Sequence, residues 1–125
     1  MPYVNYNKLT PWTKEMILEK LATDDTWVER ALVTLYHRQK QTEQYVKQTV
    51  YDNEIGFQPA DARYFTIFAE KLLRGEHLNA SELRYARRPW HRGKRVIPAI
   101  AKYRGQILEV IEAAAAKKKM QAGAQ

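Results

Sequence analysis

The chain has 125 residues, 45% of them hydrophobic, with eight Tyr, three Trp and three Phe. This is enough to fill one core, so we expect a single domain over residues 1–125. The absence of cysteine excludes disulfides, thiolate metal sites and cysteine nucleophiles. No apolar run approaches the roughly 18 residues that span a membrane, and the first residues lack the hydrophobic stretch of a signal peptide. We therefore expect a cytoplasmic protein without a membrane partner.

The net charge of +7 is unevenly distributed along the chain. Residues 1–62 hold seven Lys/Arg against nine Asp/Glu, a net charge of −2, whereas residues 63–125 hold fourteen against five, a net charge of +9. Long-range attraction follows local charge, so a polyanion is expected to meet the C-terminal half first.

The pattern of apolar residues predicts an all-α fold, a compact bundle of about five helices, because no stretch alternates as a strand does. Thr10 is expected to cap the first helix, and a capping box of Thr26 and Glu29 to open the second. The third helix has a clear apolar stripe at Phe65, Phe68, Ala69 and Leu72. The helices are expected over about residues 11–22, 27–51, 60–74, 80–88 and 96–119. Residues 1–10 and 117–125 are expected to be flexible ends, so that the last helix frays from Lys117 onward.

One short run concentrates the positive charge. Residues 84–95 read R-Y-A-R-R-P-W-H-R-G-K-R, six cations without an acid, and are expected to form a helix end, a flexible Pro/Gly joint and the next helix start. Guanidinium groups suit phosphate oxygens, and aromatic rings can stack on unpaired bases. The predicted nucleic-acid-binding residues are Arg84, Tyr85, Arg87, Arg88, Trp90, Arg92, Lys94, Arg95, Lys102 and Arg104.

The same run also has a purely structural interpretation, in which it is a solvated joint and Tyr85 and Trp90 belong to the core. The third and fourth helices have the length of a helix-turn-helix unit, but Ser81 and Glu82 near the start of the fourth supply no cation for reading a major groove. We therefore expect contact with the phosphate backbone rather than with bases in a groove.

The sequence carries no recognisable catalytic or cofactor-binding motif. Its three histidines, His37, His77 and His91, lie far apart and have no second metal ligand at helical spacing. No glycine-rich loop follows a strand. We expect a protein that is not an enzyme and that has no cofactor and no metal. The segment 53–62 is interpreted as an interhelical turn in preference to a ligand-contacting loop.

A resemblance adds a biological setting. Five short motifs resemble those of a group of small phage and mobile-element proteins. They are W-V-E-R-A-L-V-T-L-Y-H-R-Q at 27–39, T-E-Q at 42–44, Gly56-Phe57, Asp61-Ala62 and the Gly75-x-x-Leu78 turn. These mostly uncharacterised helical proteins share a W-x-x-R-A-L-V-x-L-Y-x-R-Q-T-x-x-E-Q core, and the resemblance covers about residues 26–108. It implies a prokaryotic host, where small basic proteins act on nucleic acid or on host machinery.

Two functions remain open from the sequence. The first is a non-enzymatic nucleic-acid-binding accessory protein, of phage or mobile-element origin, that contacts the phosphate backbone of DNA or RNA through the basic C-terminal half. The alternative is a phage-encoded protein-binding module that inhibits or modulates a host defence or replication enzyme. The charge of +7 argues against an acidic mimic of DNA.

Overall fold

The fold was obtained as a computed structural model that describes residues 10–45 and 55–123, apart from the side chains of 42–45 and 121–123. Within these ranges the chain forms five α-helices, one antiparallel hairpin and one 3-10 helix. In chain order they are α1 (Lys14–Thr23), α2 (Asp25–Tyr45), α3 (Pro59–Leu73), α4 (Ala80–Ala86), β1 (Pro89–Arg92), β2 (Arg95–Pro98), the 3-10 helix (Ala99–Tyr103) and α5 (Arg104–Gly123). The end predicted for the second helix, at 46–51, and the predicted flexible residues 1–9 and 124–125 lie outside the described residues. Residues 117–123 continue α5.

Three helices begin at residues other than those predicted; α5 begins at Arg104 rather than at residue 96, because β2 and the 3-10 helix occupy residues 95–103. The first is capped by Thr13, whose hydroxyl accepts a hydrogen bond from a backbone N–H one turn into α1, whereas Thr10 is buried ahead of the helix. The capping box at Thr26 is also wrong, because the Asp24 carboxylate caps α2 instead, accepting from the Thr26 N–H at 2.9 Å. Glu29 turns away from the helix start and binds the chain ahead of α4.

The core joins all the helices. α2 and α3 pack side by side, and α1 packs against α5 and the 3-10 helix. The predicted stripe on the third helix is confirmed: Phe65, Phe68 and Ala69 are buried, and Leu72 packs against the same core. Phe65 and Tyr103 are among the largest fully buried side chains.

A β-hairpin occupies the place where the sequence predicted a helical joint. β1 and β2 pair from Pro89 with Pro98 at the base to Arg92 with Arg95 at the end. The strands are joined by the two-residue turn Gly93-Lys94, in which Gly93 has a φ of 61°. Glycine adopts this left-handed conformation without a steric penalty, which suits a two-residue hairpin turn. The fold is therefore mostly helical with one small sheet, and the all-α prediction is too narrow.

The hairpin is fixed to the helices at its base. Trp90 and Ile97 are cross-strand partners; Ile97 is buried, and Trp90 is half-buried against the core. The N–H of Ala99 donates to the carbonyl of Arg88 at 2.8 Å and so extends the pairing beyond the two strands. These contacts make the hairpin a defined element whose far end extends into solvent.

The loop before α3 is held against α2 and α5. Gly56 has a φ of 82°, and a Cβ atom there would lie 2.5 Å from the Cβ of Gln39. The backbone of Gly56 exchanges two hydrogen bonds with the side-chain amide of Gln106, and Phe57 inserts into the core. These contacts agree with the interpretation of this segment as a structural turn, and they position Asp61 at the start of α3.

Candidate nucleic-acid interface

The acid-free run 84–95 is partly neutralised in space by carboxylates from the N-terminal half. Three of its six cations form ion pairs: Arg87 with Asp25 at 2.7 Å, Arg88 with Asp61 at 2.6 Å and Arg95 with Glu15 at 2.8 Å. The side chains of the other three, Arg84, Arg92 and Lys94, are exposed and make no ion pair or hydrogen bond with any residue that the structure describes. The predicted patch thus separates into anchored cations and free ones.

Residues 92–95, which we call the hairpin tip, carry two of the free cations. Arg92 and Arg95 are directly opposite each other across the strands. Like charges in this position destabilise a hairpin unless an acid compensates them. The compensating acid is Glu15 of α1, which accepts two hydrogen bonds from Arg95. With Lys94 in the turn, the tip holds three cations beside one carboxylate.

Arg104 is a buried cation whose pKa is affected by charges of the hairpin tip. The side chain is buried and donates to the carbonyl of Ala101 at 3.0 Å, while its Nε atom has no partner among the described residues. Burial lowers the pKa of Arg104; Glu15 opposes this shift, and the positive charges of Arg92 and Arg95 lower the pKa further. The pKa of Arg104 therefore responds to burial first and then to the opposing charges of Glu15 and the two arginines.

A second charged group surrounds Asp61, which is fully buried at the start of α3. Its carboxylate accepts hydrogen bonds from Arg88 at 2.6 Å and from the hydroxyl of Tyr103, and it contacts the ammonium of Lys102 at 2.7 Å. Burial alone would raise the pKa of Asp61, but the hydrogen bonds from Lys102, Tyr103 and Arg88 outweigh it, so the pKa is lowered. Asp61 is thus an ionised carboxylate whose oxygens are already engaged.

The cluster around Asp61 binds the 3-10 helix to the loop before α3. Tyr103 accepts a hydrogen bond from the N–H of Gln58 at 2.9 Å while donating to Asp61. Burial and the bond to Asp61 both raise the pKa of Tyr103, so its hydroxyl keeps its proton. The side chain of Lys102 is only 4% exposed. Lys102 and Arg104 were predicted to bind phosphates, but both are buried and lack the solvent access that such a contact needs.

Arg87 is likewise occupied by the fold. Its Nε donates to the carbonyl of Leu21 at 2.8 Å, and its guanidinium also reaches Asp25. Arg87 therefore links α4 to α1 and α2, and of the anchored cations Arg95 is the most accessible, with its side chain 52% exposed.

The two aromatic residues predicted to stack on bases are both partly buried against the core. The ring of Tyr85 packs edge-on against Phe65 and Phe68, and the guanidinium of Arg88 lies 4.3 Å from its centre. Trp90 packs against the core with the ammonium of Lys102 at 5.4 Å. This agrees with the structural interpretation of these two residues.

An exposed aromatic residue that the sequence reading missed lies next to Tyr85. Tyr64 of α3 is 44% exposed, and its ring centre lies 5.1 Å from that of Tyr85. The guanidinium of Arg63 stands 5.6 Å from the Tyr64 ring. The signal in the sequence was an aromatic residue just outside the apolar stripe of the helix, at a position that the stripe leaves facing solvent.

A groove on another side of α2 contains one histidine and one carboxylate close together. A shallow groove of about 410 Å³ lies between α2 and the turn after α3, with Val33 and Leu72 in its lining. His77 and Glu29 meet there at 3.1 Å. Across residues 10–45 and 55–123 no group of three or more His, Asp or Glu side chains converges as metal ligands would.

The chain was compared with family models, curated proteins and solved structures. None of the three comparisons finds a match. The resemblance to phage and mobile-element proteins therefore stays a prediction. Among the described residues, no helix has the length and apolar character needed to cross a membrane.

Proposed function

We propose that the protein is a non-enzymatic nucleic-acid-binding accessory protein that contacts the phosphate backbone through its hairpin tip. The observation that carries the proposal is the exposed pair Arg92 and Lys94, which have no carboxylate partner among the described residues. Arg95, paired with Glu15 but half-exposed, is the third contact.

The shape of this element suits a polyanion. A two-stranded ribbon is narrow enough to enter a nucleic-acid groove or to lie along a backbone. Each of its four-residue strands is about 13 Å long at roughly 3.3 Å per residue. Cations at the end of such a ribbon can reach phosphates, and Glu15, which pairs with Arg95, is the one carboxylate that the described residues place against them. Each phosphate that they neutralise releases counterions, which favours binding at low salt.

The proposal also narrows the predicted set of contacts. Arg87, Arg88, Lys102 and Arg104 hold the fold around the hairpin. The free exposed cations Arg84, Arg92 and Lys94 are left to meet the ligand, together with the half-exposed Arg95. The resemblance is the reason for proposing a phage or mobile-element setting in the cytoplasm of a prokaryotic host.

The experiment is a fluorescence anisotropy titration of labelled single-stranded and duplex DNA and RNA at about 50 mM salt, where backbone contacts are strong. The double variant Arg92→Ala/Lys94→Ala is compared with Lys117→Ala/Lys118→Ala, which removes the same charge from the exposed end of α5. We expect binding by the wild type, a loss of affinity of at least tenfold in the hairpin variant, and little loss in the α5 variant. Absence of binding by the wild type, or equal losses in the two variants, would refute the proposal.

A protein partner is the second candidate function, and one observation favours it. Ile67 is 49% exposed one turn after Tyr64 on α3, which gives this helix an outward apolar strip. A partner captured from host lysate that survives nuclease treatment and is lost in an Ile67→Asp variant would support this candidate. Loss of the partner after nuclease treatment would support binding through nucleic acid.

A further inference from the structure

The proposed function leaves open which form of nucleic acid the protein binds, and the surface around Tyr64 bears on that question. We propose that this surface is a base-stacking platform and that the ligand is a single strand whose backbone runs from the platform to the hairpin tip. The inference rests on the proposed function and adds the substrate class. The platform consists of Arg63 and Tyr64 from α3 and of Arg84, Tyr85 and Arg88 from α4 and its C-terminal end.

The aromatic geometry makes Tyr64 the accessible ring of the platform. Tyr85 is fixed between the core phenylalanines and the guanidinium of Arg88. Tyr64 leans on Tyr85 with an interplanar angle of 58°, which supports the ring from one side and leaves 44% of the residue exposed. A ring held in this way presents a fixed apolar face at little cost in conformational freedom, as stacking on a nucleobase requires.

The charges around the ring complement a phosphate backbone. Arg63 and Arg84 are exposed and form no ion pair with the described residues. Arg88 shares the carboxylate of Asp61 with Lys102, so one positive charge of that cluster is left over. Arg63 stands 5.6 Å from the Tyr64 ring, too far for a closely stacked guanidinium, and can turn toward a phosphate when a base takes the ring face.

The platform adjoins the start of the hairpin along the chain. The Arg88 guanidinium lies over Tyr85, and β1 begins at the next residue, Pro89. A chain of contacts therefore leads from Tyr64 through Tyr85 and Arg88 to the strand that ends at Arg92. A duplex keeps its bases stacked inside, where a side-chain ring does not reach them, whereas a single strand can place a base on Tyr64 and its phosphates on the hairpin tip.

The test compares Tyr64→Leu with Tyr64→Phe, which keeps the ring and serves as the matched control. The probes are an oligothymidylate and an oligouridylate of about 16 nucleotides, the upper end of the sites of small single-strand-binding domains, and a duplex of the same length. We expect the single strands to bind more tightly than the duplex. Tyr64→Leu should weaken single-strand binding roughly 5- to 150-fold, while Tyr64→Phe stays close to the wild type. If Tyr64→Leu weakens the binding of either the DNA or the RNA strand, the result supports the platform. Whichever of the two strands the wild type binds more tightly identifies DNA or RNA as the ligand.

The outcomes separate this inference from the proposed function. If Arg92→Ala/Lys94→Ala loses affinity but Tyr64→Leu binds single strands as the wild type does, binding through the hairpin tip is supported and the platform is refuted. An equal effect of Tyr64→Leu on duplex and single strand also refutes it. If the hairpin variant binds like the wild type, the proposed function itself fails. Thermal unfolding of each variant confirms that the fold is intact, as expected for a substitution at a half-exposed position.

Discussion

The guanidinium of Arg95 donates two parallel hydrogen bonds to the carboxylate of Glu15, at 2.9 and 2.8 Å, across 80 positions of the chain. The contact joins β2 to α1, and the hydrogen bond from Arg95 is the main cause that lowers the pKa of Glu15. A carboxylate held in this way occupies the same fork that a phosphate would use. The carboxylate of Glu15 therefore competes with the proposed ligand for Arg95 of the hairpin tip.

Replacing Glu15 with Gln is expected to strengthen nucleic-acid binding, roughly two- to fivefold at about 50 mM salt, because it frees Arg95 and removes the only acid paired with the described part of the tip. The measurement is the same anisotropy titration. Glu19→Gln, which removes an equal charge from an exposed position of the same helix, is the control and is expected to have a smaller effect. Weaker binding by the Glu15 variant would show that the ion pair orients the hairpin for binding.

Asp61 is expected to be important for stability. Replacing it with Asn leaves Lys102 and Arg88 without their shared carboxylate, and breaking a buried pair in this way costs about 3–5 kcal/mol. Urea unfolding at neutral pH measures the change, with the exposed Glu112→Gln as a control that should lie within about 0.5 kcal/mol of the wild type. An Asp61→Asn protein as stable as the control would contradict the role assigned to the cluster.

The lowered pKa of Asp61 also gives the protein an acid-sensitive stability. Above the ordinary carboxyl pKa of about 4, Asp61 is ionised in both the folded and the unfolded chain, and its contribution is complete. As the pH falls below that value, the unfolded chain takes up a proton that folded Asp61 does not, so stability decreases until the folded pKa is passed. Unfolding free energies between about pH 5 and 2 should fall less steeply in Asp61→Asn than in the wild type. If the unfolding free energies of the two proteins fall equally steeply with pH, groups other than Asp61 cause the acid sensitivity.

Two glycines with similar backbone angles are expected to respond differently to alanine. Gly56 and Gly75 have φ values of 82° and 88°, but a Cβ at Gly56 would collide with Gln39, whereas at Gly75 it meets nothing within 4 Å. Gly75→Ala should cost about 1–2 kcal/mol, the strain of a left-handed alanine. Gly56→Ala should cost clearly more, because α2 and the loop must also move apart. Equal losses in chemical unfolding would mean that the loop does not pack closely on α2.

Replacing two nearby arginines of the basic run is expected to change the free energy of unfolding by different amounts. Arg88→Ala removes a hydrogen bond to a buried carboxylate and should cost about 1–3 kcal/mol, whereas the exposed Arg84→Ala should stay within about 0.5 kcal/mol of the wild type. Urea unfolding of both variants checks this. A loss in Arg84→Ala as large as that in Arg88→Ala would mean that the two arginines do not divide into a free and an anchored cation.

The helical part of the fold could be predicted because its signals are local. The stripe of Phe65, Phe68 and Ala69 repeats at the helical period, and the capping box of Asn79 and Glu82, which also follows a local pattern, is present in the structure. The hairpin could not be predicted in the same way, because each of its strands has four residues and they meet the core chiefly through Trp90 and Ile97. Two apolar residues are too few to produce the alternation of apolar and polar residues that identifies a strand in a sequence.

The candidate site was only partly visible in the sequence for a related reason. The position of the basic run was clear, but its ion pairs join residues 27 to 80 positions apart, and no local pattern indicates which arginine meets which acid. Tyr64 was missed for a second reason. Helical spacing shows which residues are buried and which are exposed, but it does not show whether an exposed tyrosine has a role in binding. The role proposed for Tyr64 rests on the ring of Tyr85 and the guanidinium of Arg63 beside it.

The most direct test of the account is a backbone-amide NMR titration of the full chain with a short oligothymidylate at about 50 mM salt. The account predicts that shift changes concentrate in the hairpin, residues 89–98, and around Tyr64 and Tyr85, and that they fade as salt is added. Changes centred on the lysines 117–119, or on the groove beside His77, with the hairpin unaffected, would contradict it.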